Sequence, residues 1–234
     1  MDEPSPPFQA PPPPGEIRED PAGQLRDLLI PQPPVRALSD SAWKSHFTGS
    51  VQTIVFHLMD GDPLELRQRC AERLSARRLV IHPDRLCMRA VVRVALLAML
   101  QGPPRSLEEF VRRRIDFSIR ELLLDDYTEE LAGRPIPEDD LVYYLVMADA
   151  FGVELPLARR AALHFDVAPE AVRRTLWALC LEGKSLAQAA AEGLGAEVEL
   201  ERHLRQGLGV LSRLDPVRTL DPEAFTIEPW EHFR

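Results

Sequence analysis

Cysteine is scarce in this 234-residue chain: Cys70, Cys87 and Cys180 are the full set. An odd, widely spaced set with no C-x-x-C pair argues against a disulfide scaffold and fits reduced thiols that fill space. Long apolar runs are missing as well. The most apolar stretch, Val91 to Leu100, is flanked by Arg89 and broken by Arg93, so it falls short of the roughly 18 uncharged residues a membrane span needs. The first residues, Met1-Asp2-Glu3 followed by prolines, lack the basic start and apolar core of a secretory signal, and the expected location is the cytoplasm.

Chemical motifs are equally thin. The six histidines form no H-E-x-x-H and no Cys/His cluster at zinc spacing, so neither a metal nor another cofactor is expected. There is no G-x-S-x-G, no glycine-rich phosphate loop and no motif pairing Cys or Ser with His, which points away from an enzyme. Asp125, Asp126, Asp139 and Asp140 suggest a divalent ion at first sight, but at a domain boundary they read as solvated carboxylates.

What the chain does have is helical periodicity and an uneven charge. A hydrophobic fraction of 45% suffices for one large or two small cores. The net charge of −9 conceals a pattern: residues 51–124 hold 13 basic and 9 acidic side chains, residues 125–168 hold 3 and 10, and residues 169–214 hold 6 and 6. Only the first of these segments is basic enough to attract phosphate.

Eleven of the 22 prolines lie before residue 36, and their fixed φ and missing N–H groups predict a disordered arm over 1–46. Four helices follow in a first domain, 47–126. Ile54, Val55, Leu58 and Met59 mark one face of the first helix. Gly61-Asp62-Pro63 predicts its stop and a second helix with Pro in its first turn. Pro83-Asp84 opens a third, apolar on most sides, and Ser106 with Glu109 predicts a capping box for the fourth. An acidic linker is expected over 127–138 and a second helical domain over 139–214, with Pro169 in the first turn of one helix, Gly183 at its exit and Ser185 capping the next. A last helix, from about Glu197, aligns Leu200, Leu204, Leu208 and Leu211, completing a helix-turn-helix outline. Trp177 reads as core. The tail, 215–234, carries Phe225, Trp230 and Phe233 among acids and reads as a docking peptide or a segment folded back. The fold expected is all-α, two small bundles without a sheet.

The string Leu181-Glu182-Gly183-Lys184-Ser185-Leu186-Ala187-Gln188-Ala189-Ala190, then Leu194-Gly195 and an amphipathic helix, resembles the fourth conserved region of bacterial RNA polymerase sigma factors of the extracytoplasmic-function group. Leu58-Met59-Asp60-Gly61-Asp62-Pro63 and Phe110-Val111-Arg112-Arg113-Arg114-Ile115 are similar to parts of that family's second region. The resemblance implies a transcription initiation or regulatory protein whose partners are core RNA polymerase and promoter DNA, with an anti-sigma or other regulatory protein as a further partner. It implies DNA contacts from Arg112, Arg113, Arg114 and Arg120, and in the second domain from Ser185, Gln188, Arg202, His203 and Arg205. Polymerase contact is implied for Asp84, Arg85 and Arg89.

Two departures count against this. The family's acidic patch at the start of the third helix is reduced here to Asp84, followed by Arg85 and Arg89. The helix that corresponds to the family's recognition helix begins with Glu197, Glu199 and Glu201, which repel phosphate and find a donor only on cytosine. DNA contact is therefore expected to fall on the first domain more than on the second. The alternative is a degenerate sigma-like adaptor that binds proteins only. The residue-level alternative for Arg112 to Arg114 is ion pairing with Glu108, Glu109 and Asp116.

Overall fold

A computed structural model describes residues 47, 49–101, 106–220 and 225. The expected arm over 1–46 lies outside these residues, as do Trp230 and Phe233. Among the described residues the chain is all-helical, with no strand. The described residues hold nine α-helices, in order α1 Val51–Met59, α2 Leu66–Arg77, α3 Pro83–Gln101, α4 Leu107–Leu131, α5 Leu141–Phe151, α6 Leu155–Val167, α7 Glu170–Leu176, α8 Leu186–Ala191 and α9 Glu197–Arg213. A π-helical turn, Trp177–Leu181, extends α7, and single 3-10 turns lie at Glu138–Asp140 and Val217–Thr219.

The ends of these helices follow local chemistry. Ser50 and Ser106 accept from the N–H groups of Thr53 and Glu109. The second half of the box expected at Ser106 is not made, because the Glu109 carboxylate turns to Arg113 one helical turn on. Pro63 does not open α2. The two oxygens of Asp62 instead accept from the N–H groups of Leu66 and Arg67 at 2.7 and 2.9 Å, so the carboxylate satisfies orphan donors and the helix starts at Leu66. Pro169 likewise sits one place before its helix, as its N-cap. Gly183, at φ +65°, supplies the left-handed turn after the π segment.

The core begins where α3 lies between α1, α2 and α4. Ile54, Leu58, Leu66, Leu74, Leu86, Val94, Ile115 and Ile119 are all buried. α4 continues past Asp126 to Leu131, so residues 127–131, expected to open an acidic linker, are helical. Its last turns are held from the second half: Glu129 and Glu130 pair with Arg159, Glu130 also with Arg160, and the Tyr127 ring lies 4.9 Å from that of Phe225. Buried side chains from both halves form one continuous apolar cluster. Polar contacts reinforce the junction near the α2–α3 turn: Val80 N–H donates to Asp166 Oδ1 at 2.8 Å, and Arg173 Nε donates to the Arg77 carbonyl at 2.9 Å.

In the second half α9 packs mainly on α7. A Cβ on Gly207 would stand 2.5 Å from Leu176 Cδ1, so this glycine sets how closely the two helices approach. Leu200 is buried and Leu204 and Leu211 pack against the core, but Leu208 is exposed. On α5, Tyr143 and Met147 are buried beside Tyr144 and Ala148, whereas Leu141 and Leu145 are half-exposed. Trp177 is buried as expected, its indole N–H donating to Glu182 at 2.9 Å.

Candidate functional site

The residues singled out on α3 share one face. Arg85, Arg89 and Arg93 recur every fourth position and so stack along the helix. Met88, Val92 and Leu96 run beside them on the same helix. Together with Leu122 of α4, His82, Asp84, Asp139 and Asp140 they line a groove of about 660 Å³. Met88 and Val92 are exposed to 46% and 41%, so its apolar floor is open to solvent.

Each arginine of the row is already matched from the other side of the groove. Arg85 pairs with Asp126 at 2.9 Å and lies 3.6 Å from Asp140. Burial alone would lower the pKa of its guanidinium, but Asp126, Tyr144 and Asp140 outweigh that and raise it. Arg89 meets Asp125 at 2.5 Å, and Arg93 Nε donates to Glu121 at 2.9 Å while its guanidinium lies 4.9 Å from the centre of the Phe117 ring. Three cations lie against four carboxylates, and the groove has no spare positive charge. One end is different. Asp84 and Asp139 are exposed and make no ion pair among the described residues. The groove therefore has an apolar floor and one acidic end, a shape suited to an amphipathic helix with a basic terminus.

Promoter contact fares worse. Arg114 is 2% exposed, with its guanidinium 5.4 Å from the Phe110 ring centre, which corrects its expected place on a DNA-facing surface. The cause is periodicity. Phe110, Val111, Ile115 and Ser118 also face inward, and Arg114 falls on their stripe. Burial, then Arg113 and Arg93, lower its pKa. Arg113 is exposed and paired with Glu109, one of the alternatives the sequence left open. Asp116, another, is taken by Arg73 at 2.7 Å and Arg77 at 3.4 Å. Arg112 and Arg120 are exposed.

In the second half, Ser185 and Gln188 close a reciprocal capping box: Gln188 N–H donates to Ser185 Oγ at 3.1 Å and Ser185 N–H to Gln188 Oε1 at 2.8 Å. Both side chains therefore serve their own helix end. On α9, Arg205 pairs with Glu201 at 2.6 Å and Arg202 lies 3.6 Å from Glu199. The His203 ring lies 3.4 Å from Thr175 Oγ1. Glu197 and Val198 are exposed at the start of the helix.

Asp139 and Asp140 join Asp84 at the groove although 55 or more residues separate them in sequence. Sequence reading left them as solvated carboxylates, since no local pattern links a loop acid to the start of α3. The arginine row itself was the available signal, because a buried or half-buried row of cations requires a facing row of acids. Among the described residues no group of three or more His, Cys, Asp or Glu is arranged to hold a metal ion. No protein family, curated protein or solved structure matches this chain.

Proposed function

We propose that the chain is a sigma-like regulatory protein that binds core RNA polymerase through the groove beside α3 and does not read promoter DNA. The observation that carries this reading is the charge arrangement. Phosphate binding needs unmatched positive charge, whereas the cations of α3 and α9 named above are matched by carboxylates and Arg114 is buried. The groove, by contrast, offers exposed Met88 and Val92 beside the unpaired acids Asp84 and Asp139. By the resemblance, that acidic end stands where the family's polymerase-gripping patch begins.

The test is a titration of the full chain onto labelled promoter-length duplex at low and moderate salt. The reading requires weak binding that Arg112→Ala leaves unchanged. Tight binding that falls steeply with salt and is lost in Arg112→Ala would replace it with the DNA-reading alternative.

A further inference from the structure

His82 ends the turn between α2 and α3 and stands at the acidic end of the groove. Its carbonyl accepts the Leu86 N–H at 3.0 Å, the first hydrogen bond of α3, and its ring nitrogen Nδ1 accepts the Asp84 N–H at 3.1 Å. A backbone N–H can only donate, so Nδ1 carries a lone pair, and the imidazole is neutral with its proton on Nε2. The ring centre lies 4.5 Å from that of Tyr143 on α5. One half-buried side chain thus caps α3 and packs against α5.

Charge gathers around this ring from several elements. Asp84 and Arg85 follow it on α3, and Asp139 and Asp140 come from the 3-10 turn before α5. Arg85 is itself held by Asp126 of α4 and by Asp140. From α5 come Tyr143 and Tyr144, whose phenols burial keeps protonated, and Asp166 of α6 acts on Tyr143 from behind. Asp84 and Asp139 make no ion pair among the described residues, so this end of the groove carries two unmatched negative charges.

A proton arriving at Nδ1 changes three things at once. Nδ1 stops accepting, so the Asp84 N–H becomes an orphan donor at the start of α3. The new positive charge opposes the dipole of that helix. It also offsets one of the two unmatched carboxylates. We propose that His82 is a proton switch on the groove: protonation of Nδ1 loosens the first turn of α3 and cancels half of the unmatched negative charge at the acidic end, so the groove holds a basic segment less well in acid. The effect on a partner rests on the proposed docking at the groove, whereas the switch itself does not.

Burial lowers the pKa of His82 from the usual ~6.5, with Arg85 assisting, against the raising effects of Asp140 and Asp84. Asp126, which burial pushes up to about 6 against the pull of Arg85, titrates in the same range. A variant has to separate the two. His82→Asn does so, because its side-chain oxygen can cap the Asp84 N–H without taking up a proton.

The experiment follows the isotope-labelled full chain by NMR from mildly alkaline to mildly acidic pH. The His82 ring nitrogens should report the Nε2–H form at the alkaline end and a midpoint below that of a free histidine. The Asp84 amide should shift with the same midpoint and exchange faster as the ring charges, and in His82→Asn it should stay constant over this range. In parallel, nucleic-acid-free core RNA polymerase is captured on the tagged chain at both ends of the range, where the parent should retain several-fold less in acid and the variant should show a smaller ratio. A His82 ring protonated on Nδ1 throughout, or an Asp84 amide with the same pH dependence in parent and variant, would overturn the switch. Equal capture by the parent at both ends would overturn its effect on the groove. Capture at neither end, with the ring and amide titrating together, would contradict docking at the groove and leave the switch supported.

Discussion

Asp166 accepts the backbone N–H of Val80 at 2.8 Å across 86 residues of sequence, from a side chain that is 6% exposed. Burial pushes this carboxyl up to about 8, against the opposing pull of the Val80 N–H and the Arg173 charge. A carboxyl whose burial favours the neutral form thus holds the turn between α2 and α3 to α6.

That arrangement makes stability fall with pH over a defined window. In the unfolded chain the carboxyl ionises near ~3.9, so below that value both states are protonated and the group costs nothing. From there up to about 8 the unfolded state releases a proton that the folded state keeps, and stability is lost steadily as pH rises. Asp166→Asn preserves the acceptor for Val80 without the titration. Urea unfolding from acidic to mildly alkaline pH should show the variant gaining on the parent throughout this window, by up to a few kcal/mol at its upper end. Parallel pH profiles would remove Asp166 from the account.

Arg159 is predicted to be the costliest charge to remove. It is 3% exposed, its Nε donates to Glu130 at 3.1 Å, and it also reaches Glu129 and the Arg134 carbonyl. Arg159→Met should destabilise the fold by about 3 kcal/mol, the low end for breaking a buried pair, because Arg160 still reaches Glu130. Denaturant unfolding measures this directly, and a loss no larger than that of an exposed surface pair would contradict it.

Gly207→Ala tests the approach of α9 to α7. The new methyl group would meet Leu176 at 2.5 Å, and overpacking of this kind costs about 1–3 kcal/mol. Gly209→Ala is the control, since nothing lies within 4 Å of its Cβ position. There the helix gains propensity, and stability should hold or rise. Equal effects at the two positions would show that the contact is not tight.

Helix positions were legible in the sequence because 3.6-residue periodicity and stop signals are local. The Ile54–Leu58 face, the start of α3 at Pro83 and the turn at Gly183 are all set by a few neighbouring residues. Exits and entries shifted where a side chain competed with the backbone, as when Asp62 took over from Pro63 in starting α2. Arg114 was misplaced for another reason. Three consecutive arginines look exposed, but the stripe of Phe110 and Ile115 carries the middle of α4 inward and Arg114 with it. The groove was only half legible. The arginine row is a pattern on one helix, while Asp139 and Asp140 come from a 3-10 turn that reaches α3 only through tertiary packing.

The claim that this chain acts by protein contact through the groove is tested most directly by nuclease-treated co-purification. Tagged full chain, and the same chain carrying Met88→Glu, are mixed with core RNA polymerase after all nucleic acid has been digested. Met88 is 46% exposed on the groove floor, so a carboxylate there should leave the fold intact while placing charge against any apolar segment that docks. The account predicts that polymerase is retained on the parent chain without DNA and lost from Met88→Glu. No retention after digestion, or equal retention on both chains, would contradict it.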